Sequence, residues 1–232
     1  MSLTVTTKRV SHFDQNARII TDTTTNETMI IDPGAEADLL FDMVSATTVT
    51  MIVLTHCHID HAGGVTRLLE LFDHANRKRP QLFYHSKDII IGEHLEDFAK
   101  NYGFSTTDYQ NPPHPDQLMD SLFSIKLGSK IFNVYFTPGH APGHIVLYYD
   151  SDDFKLAGDY SETLDCNRLL IAGDTLFHGS IGRTDLPMGN HNELIQSIKT
   201  KLLTLPDTTL VCAGHGPNTT IGNETHSNPF LN

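Results

Sequence analysis

The chain reads as an α/β protein built of two face-to-face β-sheets with helices outside them. Two observations predict this. Strand-like runs followed by helical stretches occur twice along the chain, in roughly the same order. Residues of metal-binding type also stand where the apolar strand runs stop, as happens when strand ends meet at one edge of a sheet.

The elements follow in order. ARIITD (17–22) and TMIID (28–32) read as two strands joined by a polar turn, the second ended by Pro33-Gly34. AEADLLFDMVS places Leu39, Leu40, Met43 and Val44 at helical spacing. TVTMIVLT (48–55) is a continuous apolar run rich in β-branched residues, as a strand covered on both faces requires. The helix VTRLLELFDHAN, the strand QLFYHS and a helical stretch over 88–101 come next. Residues 105–120 are polar and proline-rich and read as a loop. Strands are expected within 124–139, 144–150, FKLAGD (154–159) and RLLIAGD (168–174). A late helix over 190–204 aligns Leu194, Ile198 and Leu202 on one face, and TLVCAGHG (209–216) is the last strand. Residues 1–232 are expected to form one domain.

Composition narrows the function classes. A chain with 39% hydrophobic and 19% charged residues belongs with soluble globular proteins. No apolar run approaches the roughly eighteen residues of a membrane span. MSLTVTTKRV lacks the apolar core of a secretory signal, so a cytoplasmic location is expected. A net charge of -12 disfavours nucleic-acid and membrane partners. Three scattered cysteines exclude a disulfide framework and a thiolate metal site. Cys57 points away from its histidine neighbours in an extended segment and reads as a small buried apolar residue.

The chemistry concentrates in THCHIDHAGG (55–64). His56, His58, Asp60 and His61 follow TMIVL, His140 follows FNVYFTPG, Asp174 follows RLLIAG, and His215 follows TLVCAG. These nitrogen and oxygen donors suit zinc, iron or manganese. His56 and His58, two apart, share one face of an extended segment, whereas Asp60 and His61 come after the chain begins to turn. One ion held by His56, His58 and His140, and a second by Asp60, His61 and His215, leaves Asp174 free to bridge them. The expected cofactors are two divalent ions per chain, zinc foremost. The other histidines read individually as hydrogen-bonded surface or core groups. Of these, His144 in GHAPGHIV is the best placed to support the centre, and His178 is near it in sequence.

THCHIDHAGG resembles the T-H-x-H-x-D-H signature of the metallo-β-lactamase superfamily. TPGHAPGHIVLY, AGDTLFHGSIGRTDLPMGN and AGHGPNTTIGNETHSNPFL are similar to later motifs of its glyoxalase II-like hydrolases. The resemblance runs from about Asn16 to the C-terminus. It implies an αβ/βα four-layer sandwich and a dinuclear site with His56, His58, Asp60, His61, His140, Asp174 and His215 as ligands. Asp32, in IIDPG, matches a position beneath the metals. Asp159, in a second Ala-Gly-Asp triplet, competes with Asp174, but only Asp174 is followed by Thr-Leu-Phe as in the family. The segment DSDDFKLAGDYSETLDCN is longer than the family's usual connection, and an extra hairpin or loop is expected there, near the pocket entrance or a subunit contact.

The resemblance implies a glyoxalase II-like (hydroxyacylglutathione hydrolase-like) thioesterase acting on S-lactoylglutathione or a related small thioester. A bound divalent ion lowers the pKa of water from about 16 to about 7 and supplies hydroxide at neutral pH. Asp60 and Asp174 are the expected catalytic carboxylates. In FHGSIGRTD, Ser180, Gly182 and Arg183 are the expected substrate contacts, with Arg183 matching a basic position that meets glutathione. An ion pair with Asp185 is the competing reading of Arg183. The C-terminal helical domain of larger glyoxalase II enzymes, with its further glutathione contacts, is expected to be missing. A persulfide dioxygenase of the same fold needs only two histidines and one aspartate, so Asp60, His61 and His215 favour the hydrolase. A lactonase or other esterase would use the same metals. A nuclease is disfavoured by the charge, and a non-catalytic metal-stabilised module by the complete ligand set.

Overall fold

The computed structural model describes residues 2–121, 123–162 and 164–231. In chain order the elements are β1 (Leu3–Val10), β2 (Gln15–Asp22), β3 (Glu27–Ile31), α1 (Ala37–Met43) and β4 (Thr48–Val53). Next come α2 (Ile59–Ala62), α3 (Val65–His74), β5 (Gln81–Tyr84), α4 (Ile89–Gly92), α5 (Leu95–Tyr102) and β6 (Gln117–Leu118). Then follow β7 (Ser124–Leu127), β8 (Lys130–Phe136), β9 (Ile145–Tyr149), β10 (Phe154–Gly158) and β11 (Arg168–Gly173). The chain continues with β12 (Leu176–Phe177), β13 (Ser180–Ile181), α6 (His191–Ser197), β14 (Thr209–Ala213), β15 (Thr219–Thr220) and α7 (Ile221–Ser227).

The first sheet has the order β10-β1-β2-β3-β4-β5-β6 and the second β15-β14-β11-β9-β8-β7. Alternation along the strands assigns the layers. Ile145, Leu147 and Tyr149 of β9 face the core between the sheets, where they meet Leu3, Val5, Ile20, Met29, Ile31 and Val53. Val146 and Tyr148 of the same strand face outward onto Leu194, Ile198 and Leu202 of the late helix and Ile221 of α7. On the other side, Ala17, Ile19, Ile30 and Ile52 meet Leu40, Val44, Leu68, Leu69 and Phe72 of the helices over the first sheet. Three apolar layers therefore separate four layers of secondary structure, and the fold is the αβ/βα sandwich.

Several expectations change in detail. The N-terminal LTVTTKRV is a full strand, with Leu3, Val5 and Thr7 buried on alternate positions. The inserted segment is not a hairpin. Its strand β10 pairs in parallel with β1, Leu3 opposite Phe154 through Thr7 opposite Gly158, and widens the first sheet. Asp159 follows that strand and accepts the Arg9 backbone N–H, and it is in none of the converging donor groups, whereas Asp174 is. The stretch over 88–101 divides into α4 and α5, and the proline-rich loop contributes the two-residue strand β6. Past α6 the late helix continues as one π-type turn over Ile198–Leu202, where the Leu203 N–H donates to the Ile198 carbonyl. β15 and α7 follow β14, with Thr220 capping α7 by accepting the Asn223 N–H. No helix among the described residues is long and apolar enough to cross a membrane.

Candidate metal centre

The donor residues stand on the loops that leave β4, β8, β11 and β14 at one edge of the sandwich, beside the β3 loop that carries Asp32. His56 and His58 lie in the extended segment after β4, and Asp60 and His61 lie on the single helical turn α2. A bulge in the pairing of β11 with β14, between Ile171 and Gly173, delivers Asp174. Gly173 has φ 48°, and a Cβ there would stand 2.5 Å from Thr55 Oγ1 and 2.8 Å from His144 Nε2. Only glycine lets β11 turn this close to the histidine loop.

The predicted donors converge. His58 Nδ1 and His56 Nε2 lie 2.9 and 3.2 Å from His140 Nε2. His215 Nε2 is 3.0 Å from Asp60 Oδ2, and His61 Nε2 is 3.7 Å from the same oxygen. Asp174 lies between these groups, with Oδ1 3.3 Å from His61 Nε2 and Oδ2 3.5 Å from both His140 Nε2 and His215 Nε2. The donor atoms thus form one pocket of His56, His58 and His140, another of Asp60, His61 and His215, and a carboxylate placed between them.

Hydrogen bonds on the far side of four rings set which nitrogen faces inward. His61 Nδ1 donates to Asp32 Oδ2 at 2.9 Å. His140 Nδ1 donates to the Arg183 carbonyl at 2.7 Å, and His215 Nδ1 to the Phe13 carbonyl at 3.1 Å. The Thr55 hydroxyl gives its proton to Asp32 Oδ2 at 2.6 Å, so His56 Nδ1 is the donor to Thr55 Oγ1 at 3.1 Å. In its neutral form each of these rings presents a bare Nε2 lone pair to the centre. Asp32 also accepts the Thr55 backbone N–H at 2.7 Å and sits at φ 52°, a left-handed conformation costing about 1–2 kcal/mol. His144, buried, accepts the Asp174 backbone N–H through Nε2 at 3.0 Å, which fixes it as a support for Asp174.

Electrostatics divide the pockets. Burial, joined by repulsion from His140, pushes His58 down to about 3. Burial and the surrounding imidazoles likewise push His56 well below its ordinary value. These rings are neutral and offer lone pairs. Burial also disfavours a charged His61, but Asp174, Asp60 and Asp32 outweigh it and raise that ring well above the ordinary histidine range. Burial would raise the Asp174 carboxyl, yet His61, His215 and His140 hold it below the usual carboxylate range.

Two buried atoms, His61 Nε2 and Asp174 Oδ1, face each other at 3.3 Å without a hydrogen bond of good geometry. Leaving such atoms unsatisfied costs about 1–3 kcal/mol each. A cation between them satisfies both, and the all-imidazole and carboxylate donor set matches a divalent transition metal.

The expected substrate contacts fare differently. Arg183 is exposed and its guanidinium makes a two-point ion pair with Asp185, Nε to Oδ1 and Nη2 to Oδ2, both at 2.8 Å. What Arg183 gives the centre is its carbonyl, on His140. Gly182 is required by packing, since a Cβ there would lie 1.8 Å from the Asp174 carbonyl oxygen. Ser180 stands on β13, its carbonyl accepting from the Asn228 side chain. Thr55, Asp88 and the carbonyls of Phe13 and Arg183 are contributors that sequence reading missed. For Asp88 the signal was an acidic residue just past a strand end at the same sheet edge.

Fold and donor set together define a metallo-hydrolase centre, and the chain belongs to the metallo-beta-lactamase superfamily, whose family model matches residues 12–166 and 160–215. Among its relatives, hydroxyacylglutathione hydrolase GloC of Haemophilus influenzae is 37% identical over 227 residues, covering 96% of this chain and 95% of that protein. The crystal structure of BLEG-1 B3 metallo-beta-lactamase is similar with a TM-score of 0.79 and 32% identity, covering 97% of this chain and 98% of that one. TTHA1623 in a di-iron-bound form is similar with a TM-score of 0.77 and 30% identity, covering 97% and 99%.

Proposed function

We propose that the protein is a dinuclear metal-dependent thioesterase of the hydroxyacylglutathione hydrolase type. The observation that carries this reading is the two-pocket donor set with Asp174 between, on a chain similar to GloC along 95% of that protein. His56, His58 and His140 would hold one ion and Asp60, His61 and His215 the other, with the Asp174 carboxylate within reach of both. When bound, the ions lower the pKa of water to about 7 and polarise the scissile carbonyl. The remaining work belongs to the chain. Asp32, Thr55 and the Phe13 and Arg183 carbonyls lock the rings, so little reorganisation is left for the reaction itself. Asp60, somewhat more exposed than Asp174, would be the carboxylate to orient the attacking water.

All seven side chains are committed as donors, and none of them carries a proton for the departing atom. A thiolate, with a pKa of about 8.5, leaves without one. This favours a thioester over an alkyl ester or an amide. S-lactoylglutathione is the substrate of choice on the likeness to GloC, and zinc or iron the metal. The test is a panel of S-D-lactoylglutathione, an acyl-coenzyme A, a lactone and a β-lactam with the metal-loaded protein, before and after chelation. Chelator-sensitive release of glutathione, at a kcat/KM at least about 100-fold above the lactone and β-lactam, is expected. Preferential β-lactam opening would replace this reading with the activity named for BLEG-1.

A further inference from the structure

Asp88 follows β5 at the end of a short 3-10 turn, Ser86–Asp88. Its side chain is fully buried. Among the described residues no cation lies within ion-pair distance of it, and its two oxygens are spent on backbone amides. Oδ2 accepts the Cys57 N–H at 2.9 Å, and Oδ1 accepts the Gly143 N–H. Cys57 is the residue between His56 and His58, and Gly143 lies between His140 and His144. One carboxylate therefore joins the two loops that carry all three donors of the first pocket.

The packing around it is shaped to this purpose. A Cβ on Gly143 would stand 2.6 Å from Asp88 Oδ1, so glycine is what lets the His140 loop descend onto the carboxylate. Burial of the carboxyl is costly, and it pushes Asp88 up to about 6 even though the two N–H groups pull it down. An apolar residue would avoid that cost. The Cys57 peptide fixes where the Cα–Cβ bonds of both flanking histidines point, so holding that N–H holds both rings.

We infer that Asp88 is the positioning residue of the first metal pocket: by gripping the amides of Cys57 and Gly143 it sets the separation of His56 and His58 from His140. Asp32 serves the second pocket by a different route, through the His61 ring itself, and also holds Thr55, the partner of His56. The inference rests on the two-pocket reading of the centre and not on the thioester substrate, so a failed substrate panel leaves it standing.

The test is stepwise metal affinity of the full chain, stripped by chelator and titrated with Zn2+ against a chromophoric competitor. A parallel Co2+ titration follows the visible spectrum of each equivalent. In Asp88→Asn one oxygen becomes an N–H2 that faces an amide donor. One of the two stepwise affinities should fall about 10–100-fold, with a changed Co2+ spectrum for that equivalent, while the other stays within about twofold. Asp32→Asn should weaken the opposite step most, with a smaller effect passed to His56 through Thr55. Asp22→Asn is the matched structural control. Asp22 is also buried and grips Ser129 N–H and Oγ–H at 2.7 Å, so its loss should lower the melting temperature and leave both affinities alone. Should Asp88→Asn not fold, Gly143→Ala crowds the same oxygen with the charge retained and should give the same one-step loss. Equal loss at both steps, or two unchanged affinities in a folded Asp88→Asn or Gly143→Ala protein, overturns the inference.

Discussion

Replacing Asp32 by Asn tests how the centre is held together before any metal arrives. The carboxylate accepts three hydrogen bonds, from Thr55 N–H, Thr55 Oγ–H and His61 Nδ1–H, at 2.7, 2.6 and 2.9 Å. An Asn of the same shape has one acceptor atom. It does least harm with its amide nitrogen at the Oδ1 position, where it faces the Thr55 N–H and orphans it. A buried orphaned donor costs about 1–3 kcal/mol. For a domain of this size each kcal/mol moves the melting temperature by about 2–4 °C. The metal-free variant should therefore melt about 4–8 °C lower at the central cost of about 2 kcal/mol. Neutral Asn also holds the His61 proton less firmly, and the affinity of the Asp60, His61 and His215 pocket should drop about 10–100-fold. Calorimetry in chelator and a Zn2+ competition titration read the two effects separately. An unchanged melting temperature together with an unchanged affinity would refute the claim that Asp32 orients His61.

Further outcomes follow from other contacts. Asp174→Asn should lose the second metal while the fold persists, read as metal content per chain beside far-UV circular dichroism; two retained metals with full activity would remove its bridging role. Arg183→Ala should raise the KM for a glutathione thioester more than it lowers kcat, whereas an unchanged KM would assign the guanidinium to Asp185 alone. Asp88 has a folded pKa of about 6, above its unfolded value, so protonation favours folding. Its contribution is full below about pH 4 and is lost as pH rises through 6, a change of about 3 kcal/mol at 1.36 kcal/mol per unit. Urea melts of metal-free protein should therefore show Asp88→Asn gaining on the parent by up to that amount between pH 4 and pH 8, and a constant difference would contradict the shift. Gly214→Ala places a Cβ 2.1 Å from Asp174 Oδ1 and should cut metal content more than it lowers far-UV ellipticity.

Much of this architecture is legible in the sequence because strands covered on both faces are apolar without a break. IVLYY feeds two different apolar layers from alternate positions, and TVTMIV does the same in the first sheet. The donors are legible for a related reason: each follows an apolar run, and strand ends at one sheet edge must meet. What stays hidden depends on partners remote in sequence. LTVTTKRV is a strand because β10, some 150 residues later, and β2 pair with it, and its threonine-rich alternation is not apolar enough to declare itself alone. The ring-orienting carbonyls of Phe13 and Arg183 are main-chain atoms, which carry no residue signature. Asp88 was overlooked because its partners are amides, whereas the Arg183–Asp185 pair was foreseeable from a spacing of two. The polar C-terminal TTIGNETHS hides α7, whose buried Glu224 accepts from Gly179 N–H and Thr219 Oγ–H and so ties the helix to the β12–β13 hairpin.

The central claim is a two-metal centre that hydrolyses a thioester without redox chemistry. The most direct measurement follows thiol release and oxygen uptake together on S-D-lactoylglutathione, with glutathione persulfide as the paired substrate and metal content determined on the same sample. The account predicts nearly two metals per chain, glutathione released from the thioester, and no oxygen consumed with either substrate. One metal per chain with oxygen uptake on the persulfide would contradict it.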